Sequence, residues 1–238
     1  MSPEIAGFDC LFAGFNLLFF SERFVLYSFA KKMKLIKSIF RRKTFAFAFA
    51  TVLLVILLGI FRSNFMHVAW IAKIQEGISP GEVSFWRVIS RSVSALSFGV
   101  PFTILVWQWS NRNKNWKPLL YYLSSLALAG TINLAAKLTF RGVRPFDFSS
   151  EIVKLDSGGS FSFPSGHSAE AFAAAVFITC WINISLLRIV VLVWASLVAF
   201  SRVILGVHTP VDVIVGMALG AVVSLIVFQV AKAKGVLQ

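Results

Sequence analysis

Three short strings in the second half of the chain hold the residues best suited to chemistry. They are KLTFRGVRP (Lys137 to Pro145), PSGH (Pro164 to His167) and SRVILGVHTPVD (Ser201 to Asp212). Lys137, Arg144 and Arg202 supply permanent positive charge. Arginine matches phosphate oxygens with paired donors, which a point-charge lysine cannot do. Ser165 adds a hydroxyl, and backbone N–H groups near Gly166, at the positive end of a helix, can point at an anion. Two imidazoles, His167 and His208, complete the set. Histidine can serve as nucleophile or proton donor near neutral pH. His208 and Asp212 are four residues apart, so one helical turn is expected to bring carboxylate to imidazole. That carboxylate would fix the tautomer and leave the other ring nitrogen to attack. His208 is therefore read as nucleophile, with Asp212 behind it, and His167 as general acid. The chemistry is handling of a phosphate ester or anhydride, where positioning and electrostatic stabilisation carry most of the catalysis.

These residues sit in an apolar chain. Of 238 residues, 58% are hydrophobic and 14% are charged. A soluble domain has about a quarter charged residues, so the bilayer is the expected solvent. Lys and Arg number 23 against 10 Asp and Glu, an excess read as flanking charge on membrane helices. The bases do not form one stripe on a polar domain, which argues against nucleic acid as a partner. Two cysteines, Cys10 and Cys180, form no CxxC motif and support neither a metal site nor a disulfide framework.

Six apolar segments are predicted to span the membrane: about 44–61, 93–109 (with Pro101 as an expected kink), 119–138, 167–184, 187–205 and 211–231. Residues 63–91 are mixed, contain Pro80 and Gly81, and are expected to hold a short interfacial helix. Residues 1–43 are expected to be an interfacial or poorly ordered extension ending in the basic run KKMKLIKSIFRRK, with 44–238 as the membrane domain. Met33 is an alternative start of a more ordinary chain. That basic run, NRNKNWK, Arg188, and Lys232 with Lys234 fall on one side of a six-span layout. Positive charge marks the cytoplasmic side, so both termini are expected inside. All three strings then meet at the outer face.

In this order and spacing the strings resemble the three signature motifs of the type 2 phosphatidic acid phosphatase superfamily, which includes bacterial membrane lipid phosphatases and the vanadium haloperoxidases. The match lies at Lys137, Arg144 and Pro145, at Pro164 to His167, and at Ser201, Arg202, His208 and Asp212. One detail departs from the commonest bacterial form: the order here is Arg141-Gly142, which leaves Arg141 without an expected phosphate contact. The resemblance implies an all-α membrane bundle, a phosphohistidine intermediate on His208, and no metal or other cofactor. It also implies a membrane lipid phosphate as substrate, with undecaprenyl diphosphate, lipid A phosphate, phosphatidylglycerol phosphate and phosphatidic acid as candidates. Its setting would be a bacterial inner membrane. The residues leave open a phosphotransferase using the same intermediate, a haloperoxidase (disfavoured, since those relatives are soluble), and a non-catalytic lipid-phosphate binding or transport protein. Glu170, three residues after His167, could pair with a site cation, orient His167 or make a structural hydrogen bond. Oligomeric state has no signal in the sequence.

Overall fold

The computed structural model describes residues 42–60, 68–110 and 115–237. The extension expected over residues 1–43 lies almost wholly outside them, as does His67. The described residues form α1 (Arg42–Ile60), α2 (Val68–Gln75), α3 (Pro80–Ser110), α4 (Lys117–Phe140), the single turn α5 (Pro145–Phe148), α6 (Gly166–Trp181), α7 (Ser185–Ile204) and α8 (Pro210–Ala233). No strand occurs among them, in line with the expected all-α class.

Three helical stretches among the described residues are long and apolar enough to cross a membrane: Lys117–Phe148, Ser185–Ile204 and Pro210–Ala233. The apolar part of α1, Phe49–Ile60, is shorter, and α6 has 16 residues against the roughly 20 of a full span. The surface is inverted relative to a soluble protein. Leu186, Ile189, Val190 and Val193 of α7 and Phe49, Val52 and Leu53 of α1 face outward, while Ser90, Ser97, Ser125, Asn133 and Ser224 are buried.

The N-terminal half of α3 starts at Pro80 and Gly81, within the mixed segment 63–91. Ser79 and Glu82 form a reciprocal cap: Glu82 Oε2 accepts from Ser79 N at 2.8 Å and from Ser79 Oγ at 2.7 Å, and Glu82 N donates to Ser79 Oγ at 3.3 Å. Pro80 then begins the helix, where its missing N–H costs nothing. One continuous helix runs from there through Pro101. It joins the arginine-bearing stretch 87–91 to the second apolar segment. A separate short helix, α2, precedes it.

The closest pairing in the bundle is α6 against α8. A Cβ on Gly220 would meet the Ala169 carbonyl oxygen, and one on Gly216 would meet the Ser165 carbonyl oxygen and, at 3.1 Å, Ser168 Cβ. Small residues allow this approach, as is common between membrane helices, and Ser224 Oγ donates across it to Ala173 O at 2.8 Å. Farther along, Phe177 packs edge-on against Tyr122, Trp181 and Phe228 at 5.6–6.2 Å. The α6–α8 pairing holds the start of α6, with PSGH, beside the start of α8, with the HTPVD sequence.

Candidate active site

Five helix ends and the loops between them converge at one end of the bundle. Lys137 lies in the last turn of α4, Arg144 immediately precedes α5, Ser165 is the N-cap of α6, and Arg202 lies in the last turn of α7. His208 stands in the α7–α8 loop and Asp212 in the first turn of α8. All three strings therefore meet.

His208 is not helical, so the expected helical turn is not what joins it to Asp212. Thr209 and Asp212 form a capping box instead: Thr209 N donates to Asp212 Oδ2 at 2.8 Å, and Asp212 N donates to Thr209 Oγ1 at 3.3 Å. This cap turns the chain so that His208 Nδ1 lies 3.6 Å from Asp212 Oδ2. Ser162 stands beside both. Its Oγ donates to Asp212 Oδ2 and lies 3.3 Å from His208 Nδ1. Ser162 is absent from the three strings, and one sequence offers no signal to separate it from the other serines of residues 149–165.

The turn that presents His208 needs Gly206. Its φ is +69°, and a Cβ there would meet Val153 O at 2.5 Å and Gln75 Nε2 at 2.7 Å. Gln75 of α2 bonds both sides of this junction, donating to Val153 O at 2.9 Å and Ile204 O at 3.0 Å and accepting from Val153 N at 2.9 Å.

The other face of the ring meets Arg144, whose Nη1 is 3.4 Å from His208 Nε2. Arginine has donors only. This contact requires a lone pair on Nε2 and places the single proton of the neutral ring on Nδ1, facing Ser162 and Asp212. His208 holds its proton weakly, with a pKa lowered to about 3. Burial is the largest cause, Asp212 opposes it, and the charges of Arg144 and Arg202 add to the lowering. The ring is neutral at physiological pH, with Nε2 available as a nucleophile.

The cations are more engaged than an open clamp would be. Arg144 donates through Nε to Gly159 O at 2.8 Å, through Nη1 to Val207 O at 2.6 Å and through Nη2 to Phe161 O at 3.1 Å. Lys137 Nζ donates to Phe161 O at 2.9 Å and Ser162 O at 3.3 Å. Both hold the 159–162 segment against the site. Arg202 is buried and bonds Ser90 Oγ, Asp156 Oδ2 at 2.8 Å and Ser157 O at 3.2 Å. Its Nε, also buried, has no hydrogen-bond partner among the described residues.

Asp156, which lies in none of the three strings, anchors Arg202. Its carboxyl stays below the ordinary carboxylate range. Burial works against this, but hydrogen bonds from Ser157 N and Arg202 and the charges of Arg202 and Arg91 outweigh it. His167, half-buried at the start of α6, feels the charges of Arg202, Asp156, Lys137 and Arg144. The carboxylate whose charge reaches His167 is Asp156, from a loop. Glu170 turns towards Ser97 and Tyr122, away from the cation cluster, which favours its structural role.

Ser165 is fully buried, accepts from Ser168 Oγ at 2.9 Å, and donates its N–H to Asp212 O at 2.9 Å. Gly166 packs beside Asn133, whose Nδ2 donates to Pro164 O at 3.5 Å. Arg141 is exposed and bonds back to Leu138 O at 3.3 Å, so the altered order before Arg144 carries it away from the site.

An apolar helical bundle that gathers a lysine, arginines, two histidines and an aspartate at one end defines a membrane protein class with a cationic, imidazole-bearing site. Residues 118–235 match the PAP2 superfamily and constitute a PAP2 domain. The chain is 28% identical over 147 residues to the lipid A 4'-phosphatase of Bacteroides thetaiotaomicron, covering 57% of this chain and 65% of that protein. It is 41% identical over 100 residues to the decaprenylphosphoryl-5-phosphoribose phosphatase of Mycobacterium tuberculosis, covering 42% and 54%. The matches thus span less than two thirds of either relative. Among solved structures, the transmembrane PAP2 type phosphatidylglycerolphosphate phosphatase from Bacillus subtilis superposes with a TM-score of 0.62 at 25% identity, over 78% of this chain and 94% of that one.

Proposed function

We propose that the protein is an integral membrane phosphatase that removes a phosphate monoester or diphosphate headgroup from a lipid. The observation that carries this reading is the pairing of a neutral, buried His208, backed by Ser162 and Asp212, with three cations around it. Binding alone would need the cations but not an oriented imidazole. The three relatives above are named as phosphatases, and each name gives a lipid phosphate.

In the first step His208 Nε2 attacks phosphorus. The N–P bond forms as the bond to the leaving oxygen breaks, and His167 gives that oxygen a proton. Asp212 and Ser162 steady the imidazole as it becomes cationic. In the second step His167 takes a proton from water. The water oxygen attacks phosphorus, the N–P bond breaks, inorganic phosphate leaves, and His208 returns to neutral. Lys137, Arg144 and Arg202 hold the equatorial oxygens throughout. The buried Nε–H of Arg202 suits one of them, since a donor left unpaired there costs about 1–3 kcal/mol. Ser165 and the N–H groups at the start of α6 add donors. With charge supplied by side chains, the reaction needs no metal ion.

The protein crosses a bacterial inner membrane six times with both termini cytoplasmic, so hydrolysis takes place at the periplasmic face. Supporting this, Arg188 of α7 and Lys232 of α8 lie at the helix ends opposite the site, as the distribution of positive charge requires. Lipid substrates fit because the tail stays in the bilayer while the headgroup reaches the helix ends.

The test is phosphate release by the purified full chain from a panel of lipid phosphates with EDTA present. Release by wild type is expected, with loss of about three orders of magnitude or more in His208→Ala. No release by wild type, or full release by His208→Ala, overturns the proposal.

A further inference from the structure

A cleft of about 400 Å³ opens beside the site, lined by Arg87, Arg91, Lys154, Leu155, Asp156 and Ser157. Two of these residues also form the back of the phosphate clamp. Asp156 Oδ2 and Ser157 O hold the Arg202 guanidinium at 2.8 Å and 3.2 Å. The cleft and the catalytic site therefore adjoin through Asp156 and Ser157.

Its charge is unbalanced. Arg87 and Arg91 are four apart on α3, so they stand on one helix face, where like charges repel. Lys154 faces them from the loop, its Nζ 4.8 Å above the ring of Phe146. The carboxylate within reach, Asp156, is already paired with Arg202, and Arg91 approaches its other oxygen at 3.6 Å. Arg87 is fixed by its Nε bond to Leu155 O at 2.7 Å, while the Arg91 side chain is 71% exposed. A fixed arginine, a reaching arginine and a lysine around one small cleft make a receptor for an anion. None of the three takes part in the hydrolysis described above.

We propose that this cleft is a second anion subsite, binding a further phosphate-type group on the same headgroup whose scissile phosphate lies at His208. The inference rests on the phosphatase reading and narrows its substrate class to lipids whose headgroup carries two anionic groups. A lone phosphate monoester would fill the clamp and leave the cleft's three cations unmatched.

Two measurements test it. The first compares phosphatidic acid with phosphatidylglycerol phosphate of the same acyl chains, in neutral detergent, for wild type and Arg91→Gln/Lys154→Gln. The ratio of kcat/KM for the doubly anionic lipid over the singly anionic one is expected to fall about tenfold in the variant, through KM. An unchanged ratio overturns the proposal. So does a loss that appears only when anionic carrier lipid is added and is equal for both substrates, because the cations then serve general surface attraction. The second needs no turnover: inorganic phosphate is titrated into the full chain by calorimetry. Two sites are expected in wild type and one in the variant, with Lys154→Gln alone as a check on folding; one site in both overturns the subsite. A chain that binds two phosphates but hydrolyses no lipid would refute the phosphatase reading while leaving the subsite standing.

Discussion

Ser162 Oγ donates to Asp212 Oδ2, the same oxygen that accepts the N–H of Thr209 and thereby caps α8. One carboxylate oxygen serves the nucleophile's support and the helix start together. Replacing Ser162 by Ala removes a buried donor beside His208 Nδ1 and leaves Asp212 under-satisfied. A drop of about tenfold to a hundredfold in kcat is expected, as for outer partners that orient an active imidazole. A steady-state comparison of Ser162→Ala with His208→Ala checks it, and the serine variant should retain much the higher activity.

Asp156 and Arg202 are a buried pair, with side chains 3% and 2% exposed. Removing one partner of such a pair strands the other. Asp156→Ala should therefore lower stability by about 3 kcal/mol and also reduce kcat/KM, because Arg202 loses its orientation. Chemical unfolding in detergent and phosphate-release kinetics on the same preparation would show both effects. Arg202→Lys should not restore activity, since lysine cannot reproduce the fork that bonds Ser90, Asp156 and Ser157.

The buried His208 makes stability depend on pH with a definite sign. Its pKa in the folded chain is lowered to about 3 from about 6.5 when unfolded. Between those values the unfolded chain binds more protons, so stability falls as pH falls from about 6.5 towards 3. Thermal unfolding in detergent should show a falling Tm over that range, and His208→Gln should flatten part of the slope. An unchanged slope would mean that the ring is protonated in the native state.

Gly220 of α8 lies where a Cβ would strike the Ala169 carbonyl. Gly220→Ala should force the α6–α8 pair apart, at a cost of about 1–3 kcal/mol, and lower Tm. Gly216→Ala should cost similarly and reduce activity as well, because the atom struck belongs to Ser165 at the head of the site. The contrast between two glycines one turn apart is read from Tm and kcat measured side by side.

Much of this arrangement was legible in the sequence because it depends on residue type and fixed spacing. Lys137, Arg144, Ser165, His167, Arg202, His208 and Asp212 all come to one end of the bundle, and each later apolar segment lies on a helix. What was hidden depends on side chains closing local backbone geometry or bridging distant loops. Ser79 with Glu82 caps the start of α3 inside the mixed segment 63–91. Thr209 with Asp212 replaces the helical turn expected for His208. Ser162 and Asp156 lie 50 residues from Asp212 and 46 from Arg202, too far apart for periodicity to pair them.

Arg144 bonds to Gly159, Phe161 and Val207, which follow it in the chain by 15, 17 and 63 residues. During synthesis the cation is therefore made well before its last acceptor, and the nucleophile arrives one residue after that acceptor. A nascent chain halted at the end of α7 would carry Lys137, Arg144 and Arg202 but neither His208 nor Asp212. The full cluster can exist only once α8 has docked on α6. Docking of α8 on α6 is thus the step that brings the imidazole and its carboxylate to cations already in place.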